Sequence, residues 1–203
     1  DGFRREAGAW VPVGRPVRDP FIPMVATTEE QSEDLAYGAA VAILENCARG
    51  NDYDVGVERI MHLVAPGVMK AMASAPSARD GARTTFQHFD ETHLFFPIRL
   101  INTHKTMLRN IPKRKLADPW SLETTTMYAP GEGSIAELSH QLALAILAGH
   151  ASDPTFYFDH RQASEKWDIT DPLGLVEAIR EASGDAWEWT DVDAIAAQLV
   201  DVD

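Results

Sequence analysis

The chain has 203 residues, 45% hydrophobic and 24% charged, the balance of an ordinary globular protein with room for one sizeable core. Its net charge of −13 excludes a protein that coats nucleic acid over its whole surface, though not one that touches it through a local basic patch. No apolar run approaches the roughly 18 residues of a membrane span, and a single cysteine, Cys47, rules out an internal disulfide framework or a cysteine metal cage. Cys47 falls near a predicted helix end and is expected as a small buried hydrophobe. One cysteine and no framework fit the cytosol. Asp1 rather than methionine opens the sequence, so the chain is expected to be processed or a piece of a longer one.

Residues 1–20, rich in Gly, Pro and Arg, predict an irregular lead-in. Phe21–Ala26 (FIPMVA) predicts a short apolar strand, with Pro23 marking an irregularity. Thr28-Glu-Glu-Gln31 has the pattern of a capping box. The helix after it is expected to show Leu35, Ala39 and Ile43 on one face, flanked by Ala36, Ala40 and Leu44, and to fray near Arg49-Gly50. A hairpin is predicted over residues 58–73, turning at Ala65-Pro66-Gly67. A polar loop, Ser74–Thr84, leads to a short strand over Thr85–Phe89 that runs into two acids. Helical spacing then runs through Ile98, Ile101, Met107, Leu108 and Ile111 and stops at Pro112. Trp120–Thr125 predicts a strand. Ser134-Ile-Ala-Glu137 is a second capping box, opening a helix with Ile135, Leu138, Leu142, Ala145 and Ile146 inward and Gly149 as its stop. Phe156–Phe158 is expected as a further strand. Asp171-Pro172 starts a helix through Leu173, Val176 and Ile179, and a last helix begins near Asp191. Strands alternating with helices predict an α/β sheet with helices on its faces.

The chemistry concentrates at FQHFDETHL, residues 86–94. An acid at the tip of a buried strand can hold a magnesium ion, and a neighbouring carboxylate can orient the water that attacks a γ-phosphate. Asp90 and Glu91 supply that pair, although Gln87 and His88 interrupt the apolar lead-in. The plain alternative is a strand that ends in a solvated acidic turn. Arg79 and Arg83, in SARDGARTT just upstream, are cations able to meet a phosphate in the same or a neighbouring subunit, or simply solvated loop arginines. Glu123-Thr-Thr-Thr126 is another strand end rich in hydroxyls, and adjacent strand tips face one crevice. Residues 99–115 hold Arg99, Lys105, Arg109, Lys113, Arg114 and Lys115 without an acid. They form either a contact for duplex phosphates or an acidic subunit face, or a solvated helix face. The seven histidines show no metal-ligand spacing. Trp187 with Trp189 and Phe156 with Phe158 are expected as packing pairs.

Taken together, VATTEEQ, SARDGARTT, FDETHLF and ETTTMYAPGEGSIAE resemble the ATPase half of a tailed-phage terminase large subunit, the motor that packages DNA, and most closely those of actinobacterial phages. The resemblance spans most of residues 20–165. It implies a mostly parallel P-loop NTPase (RecA-like) sheet flanked by helices and incomplete at its N-terminus. Asp90 and Glu91 become the Walker B pair, with Asp90 holding Mg2+ through water and ATP as the substrate. Thr124 and Thr125 match the coupling motif, Arg79 or Arg83 becomes the arginine finger, and Gln31 falls on a recurrent glutamine of the family. The implied partners are double-stranded DNA, the terminase small subunit, the portal protein and further copies in a ring, in the cytoplasm of an infected bacterium with no membrane involved.

The family's phosphate-gripping G-x-x-x-x-G-K-[ST] occurs nowhere in the sequence. It is expected upstream of Asp1, with a nuclease domain after Asp203, so residues 1–165 read as a partial ATPase domain and 166–203 as a helical, acidic linker. Alone, the 203 residues are expected not to turn over ATP. The competing readings are a fragment of a DExH-type helicase-like ATPase, a degenerate relative without ATP binding, and a non-catalytic α/β binding module with a chance acidic pair.

Overall fold

A computed structural model describes residues 2–14, 17–28, 32–73 and 81–200. The chain divides into two compact units, Asp1–Ala151 and Ser152–Asp203. No helix among the described residues is long and apolar enough to cross a membrane.

The first unit begins with a hairpin that the sequence reading missed. Strands β1 (Gly2–Glu6) and β2 (Ala9–Val13) pair antiparallel around Ala7 and Gly8, both at positive φ, and form a two-stranded sheet of their own. The main sheet has six strands: β3 (Phe21–Ala26), β4 (Tyr53–Val55), β5 (Arg59–His62), β6 (Val68–Ala73), β7 (Phe86–Asp90) and β8 (Trp120–Thr124). Their order is β4-β5-β6-β3-β7-β8, with β6, β3, β7 and β8 parallel and the β4–β5–β6 side antiparallel. The mostly parallel α/β sheet expected from the sequence is therefore present, and so is the predicted hairpin, as β5 and β6.

Pro23 is tolerated in this central strand for a local reason. Phe21 turns both its N–H and its carbonyl towards Thr85, so by alternation Pro23 faces the same neighbour, β7. The β3–β7 ladder begins only at Met24, and the missing proline N–H falls where no ladder bond is formed.

Two apolar cores lie on opposite faces of the sheet, as the alternation of Met24 and Val25 requires. One face gathers Met24, Tyr37, Ile60 and Ala71 under helix α1 (Gly38–Asn46). The other gathers Val25, Phe89, Phe95, Leu100, Met107 and Ile135 with helices α2 (Ile98–Leu108) and α3 (Ile135–Leu147).

Several inward faces differ from those expected. A π-turn over Glu33–Tyr37 precedes α1. Its extra residue per turn rotates the helix so that Tyr37 enters the core and donates to the Gly56 carbonyl at 2.6 Å, whereas Leu35 and Ile43 are exposed. Cys47 lies just past the helix in extended backbone and is exposed rather than buried. On α2 the buried row is Leu100, Thr103, His104, Thr106 and Met107, and Ile98 faces outward. On α3 the buried row is Ile135, Ala136, Glu137 and Ala143, with Leu138 and Leu142 exposed. The first capping box falls largely outside the described residues. Ser32, next to it, is buried and donates to the Met24 carbonyl at 2.8 Å.

The second unit holds helices α4 (Pro172–Ser183) and α5 (Val192–Val200). Asp171 caps α4 by accepting from the Gly174 amide at 2.9 Å, as its sequence position predicts. Phe156–Phe158 is not a strand; its two rings stack on each other in irregular chain. Glu181 accepts from Trp167, Lys166 and Ser164, which hold its carboxyl down to about 2.

Arg114 staples the start of the sheet. Its guanidinium donates to the carbonyls of Asp19 (2.8 Å), Arg83 (3.1 Å) and Arg18 (2.5 Å), joining the segments that lead into β3 and β7. Replacing it with alanine leaves those carbonyls to water. Arg114→Ala is expected to lower unfolding stability by about 1–3 kcal/mol in a urea titration. Arg114→Lys should recover only part of that, because an ammonium cannot span the fork. An unchanged midpoint would contradict the staple.

Candidate functional site

The predicted acidic pair stands where strand chemistry needs it, at the carboxyl end of a strand flanked by parallel neighbours on both sides. Strand β7 lies between β3 and β8, and its register sets Asp90 opposite Thr124. The Thr124 hydroxyl donates to Asp90 Oδ1 at 2.7 Å, and the Glu91 amide donates to the same oxygen at 3.1 Å. Oδ2 of Asp90 accepts from no other group among the described residues.

The two polar residues that interrupt the strand's apolar run are both structural. Gln87 is fully buried on the α2 face, where its amide donates to Thr84 (2.6 Å) and to the Met107 carbonyl (2.9 Å). His88 faces the other way, with Nε2 at 2.7 Å from the Thr124 hydroxyl. Thr124 has one proton and gives it to Asp90, so towards His88 it accepts, and the imidazole must carry its proton on Nε2. Burial lowers the His88 pKa, against an opposing pull from Asp90, which agrees with a neutral ring. The result is a directed chain of donors from His88 through Thr124 to Asp90.

Glu91 sits in the left-handed region, at φ 55 and ψ 49. For a residue with a Cβ this conformation costs about 1–2 kcal/mol, and such strain collects at functional sites where the surroundings enforce it. Here the enforcing contacts are its own amide on Asp90 and its carbonyl, which receives the Leu94 amide at 2.9 Å. The conformation turns the Glu91 side chain out of line with β7. Its Oε2 is buried and makes no hydrogen bond, although it lies 3.0 Å from Nδ1 of His93. The Glu91 carboxylate is thus partly buried beside the strand tip, with His93 as its nearest ionisable neighbour.

Thr125 continues from β8 into the same cluster. Its hydroxyl oxygen receives both the backbone amide and Nδ1 of His93, each at 3.0 Å. Asp90, Glu91, Thr124 and Thr125 are therefore brought together. The loop after Thr125 is gripped by Glu137, whose carboxylate accepts from the amides of Gly131 (2.9 Å) and Gly133 (2.7 Å). Both glycines have positive φ, a backbone conformation that residues with a Cβ rarely adopt. Ser134 caps α3 through the Glu137 amide at 3.2 Å, but Glu137 turns to the loop instead of completing the capping box. A second network, His104 to Glu123 (2.8 Å) and Glu123 to Ser139 (2.9 Å), ties α2 and α3 to β8 one residue before Thr124.

The basic residues lie elsewhere. Helix α2 runs back along the sheet, its Met107 bonded to Gln87 near the start of β7. Arg114 binds the Arg83 carbonyl at that same edge. At about 3.3 Å per strand residue, Arg83 stands roughly 20 Å from Asp90, beyond the reach of an arginine side chain within one chain. Lys105, Arg109 and Lys115 are exposed. Arg109 donates to Thr106 (2.9 Å) and Lys113 to Asn110 (2.7 Å), while Arg114 is committed to the three carbonyls. Arg79 and Gln31 lie outside the described residues.

Three of these contributors escaped the sequence reading. His88 was visible only as a break in an apolar run, His93 only as a letter of DETH, and Glu137 only as half of a capping box. No described cluster of three or more His, Cys, Asp or Glu is arranged to hold a metal by itself.

No family model matches the sequence, and no curated protein matches it. Solved structures do match. The large terminase of bacteriophage HK97 superposes with a TM-score of 0.61 at 16% identity, covering 91% of this chain and 37% of that one. The large terminase ATPase domain of Thermus phage P74-26 gives a TM-score of 0.39 at 18% identity, over 54% of this chain and 48% of that domain. The first likeness establishes the fold as one that a phage large terminase uses, the RecA-like class that the sequence implied. The chain spans little more than a third of the HK97 protein.

The neutral, buried His88 has a consequence for stability. Its folded pKa is depressed, so the unfolded chain, with an ordinary value near 6.5, binds the proton first as pH falls. Stability is expected to be full above about pH 6.5 and to decline below it. In His88→Gln, which keeps a donor to Thr124, urea midpoints measured from about pH 7 to 5 should fall less steeply than in the unmodified protein. Equal slopes would contradict a neutral His88.

Proposed function

We propose that this chain is part of the ATP-hydrolysing motor of a phage large terminase, with Asp90 and Glu91 as its Walker B pair. The observation that carries the reading is the strand-tip cluster: Asp90 fixed by Thr124, and Glu91 held in strained backbone with a buried, unpaired carboxylate oxygen. The fold likeness to the HK97 terminase supports it. Bound magnesium would draw charge from the β- and γ-phosphates, with Asp90 Oδ2 facing one of its waters. Thr124 and the Glu91 amide hold the Asp90 carboxylate in one orientation. Glu91 accepts a proton from, or orients, the water aimed at the γ-phosphate.

The open side of β8 supports a phosphate-gripping segment from outside these residues. Strand β8 is the sheet's edge, and on the face it shares with Asp90 it leaves Trp120 56% and Leu122 41% exposed. A further parallel strand with its loop and helix would cover both and bring the phosphate cradle beside Thr124. Thr124 and Thr125 then lie between that cradle and the acids, where a coupling motif belongs.

The arginine finger, Arg79 or Arg83, acts on this reading in a neighbouring subunit, since Arg83 lies at the far edge of its own sheet from Asp90. The exposed Lys105, Arg109 and Lys115, with Lys113 beside them, supply the duplex or subunit contact, and Arg114 serves the fold instead. Residues 166–203, within the second unit, are assigned as the helical linker towards a further domain. A DExH-type helicase-like fragment and a non-catalytic module gain no support of their own.

In the full-length protein, Glu91→Gln is expected to lower kcat for ATP hydrolysis by about 10²–10⁴. Binding of a fluorescent ATP analogue should stay near that of the unmodified protein. Normal turnover in that variant would remove Glu91 from the reaction and sink the proposal.

A further inference from the structure

The hydrolytic pair is tied to the neighbouring strand by two separate links, and only one of them runs through the coupling hydroxyl on Asp90. The other runs through His93. Thr125 gives its single proton to the Thr126 carbonyl at 3.0 Å, so towards His93 its oxygen can only accept. It does so twice, from the His93 amide and from Nδ1, which must therefore carry a hydrogen. The same Nδ1 lies 3.0 Å from Glu91 Oε2. One N–H thus stands between two acceptors, and it is directed at Thr125, which is why Oε2 remains buried without a hydrogen bond. His93 and Glu91 are about a quarter exposed, 23% and 26%, while Thr125 at the tip of β8 is exposed.

We propose that His93 is a positioning residue that couples Glu91 to the tip of β8, its Nδ1–H being held by Thr125 when Glu91 is ready to engage water and passed to Glu91 when Thr125 moves away. The assignment rests on the hydrolytic role of Glu91 given above. With the N–H on Thr125, the Glu91 carboxylate keeps its full strength as an acceptor for the attacking water. With the N–H on Glu91, the carboxylate is satisfied by the imidazole and is a poorer acceptor. A small displacement of the β8 tip is then enough to change the state of the group that handles the water. Glu137 limits such displacement to the few residues between Thr125 and Gly131, because it clamps the loop at Gly131 and Gly133.

The test is steady-state ATP hydrolysis by the full-length protein, with melting temperature recorded for each variant. His93→Phe fills the ring's space without a donor and should lower kcat by about 10- to 100-fold, the scale of losing an outer-shell partner. KM for ATP and the melting temperature should stay unchanged. His93→Asn places an amide N–H near the Nδ1 position and should restore most of the loss. Thr125→Val should fall as far as His93→Phe, and the double variant no further than the worse single one, because both cut the same link. A kcat for His93→Phe equal to that of the unmodified protein, an Asn variant as impaired as Phe, or a loss confined to KM would each overturn the assignment. Glu91→Gln run in parallel separates the two readings. If it turns over ATP normally, the hydrolytic role itself falls; if it is inactive while His93→Phe is normal, only the role of His93 falls.

Discussion

The hydrogen bond from Thr124 to Asp90 is the contact on which the rest of the site depends, because it reports the register of β7 against β8. In a sheet whose side chains alternate between faces, a slip of β7 by one residue would send Asp90 into the α2 core and away from Thr124. In the observed register Asp90, Thr124 and His88 share one face, and Phe89 and Glu123 share the other. That single choice places a carboxylate at the strand tip with one oxygen held and one available. It also delivers Thr125 to His93, and so decides the surroundings of Glu91. The strain at Glu91 is tolerated because Asp90, already fixed by Thr124, receives its amide.

The sheet separates two kinds of charge. Acids and hydroxyls collect where the parallel strands end. Cations collect where they begin, around Arg114, Arg83 and the end of α2. The separation follows from topology, since α2 must run back along the sheet to connect β7 to β8 and carries its basic residues to the far edge.

Much of this was legible in the sequence where local rules govern. The strands around FIPMVA and FQHFD, the β5–β6 hairpin and the Asp171 cap follow from period-2 apolar runs, turn residues and capping chemistry, none of which needs tertiary information. The acidic pair was legible as two carboxylates directly after a short, partly apolar strand, together with the hydroxyl-rich strand end that follows it. What the sequence did not disclose depends on contacts distant along the chain. Tyr37 enters the core because of a π-turn that no periodicity announces. Leu138 and Leu142 are exposed on α3 because its buried row also includes Glu137, recruited by a glycine loop. Gln87 and His88 break the apolar run of β7, yet each finds its partner in another element, at Met107 and at Thr124. Residue type alone points to a buried Cys47, but the chain leaves the helix there in extended backbone and the thiol is exposed.

The central claim is that Asp90 and Glu91 face a metal-bound nucleotide beside β8. Its most direct test is a crystal structure of the full-length protein with magnesium and a non-hydrolysable ATP analogue. The account predicts a magnesium-bound water against Asp90 Oδ2, the Thr124 hydroxyl still on Oδ1, and a water between Glu91 and the γ-phosphate. Nucleotide bound at any other edge of the sheet, with Asp90 and Glu91 left in bulk solvent, would contradict it.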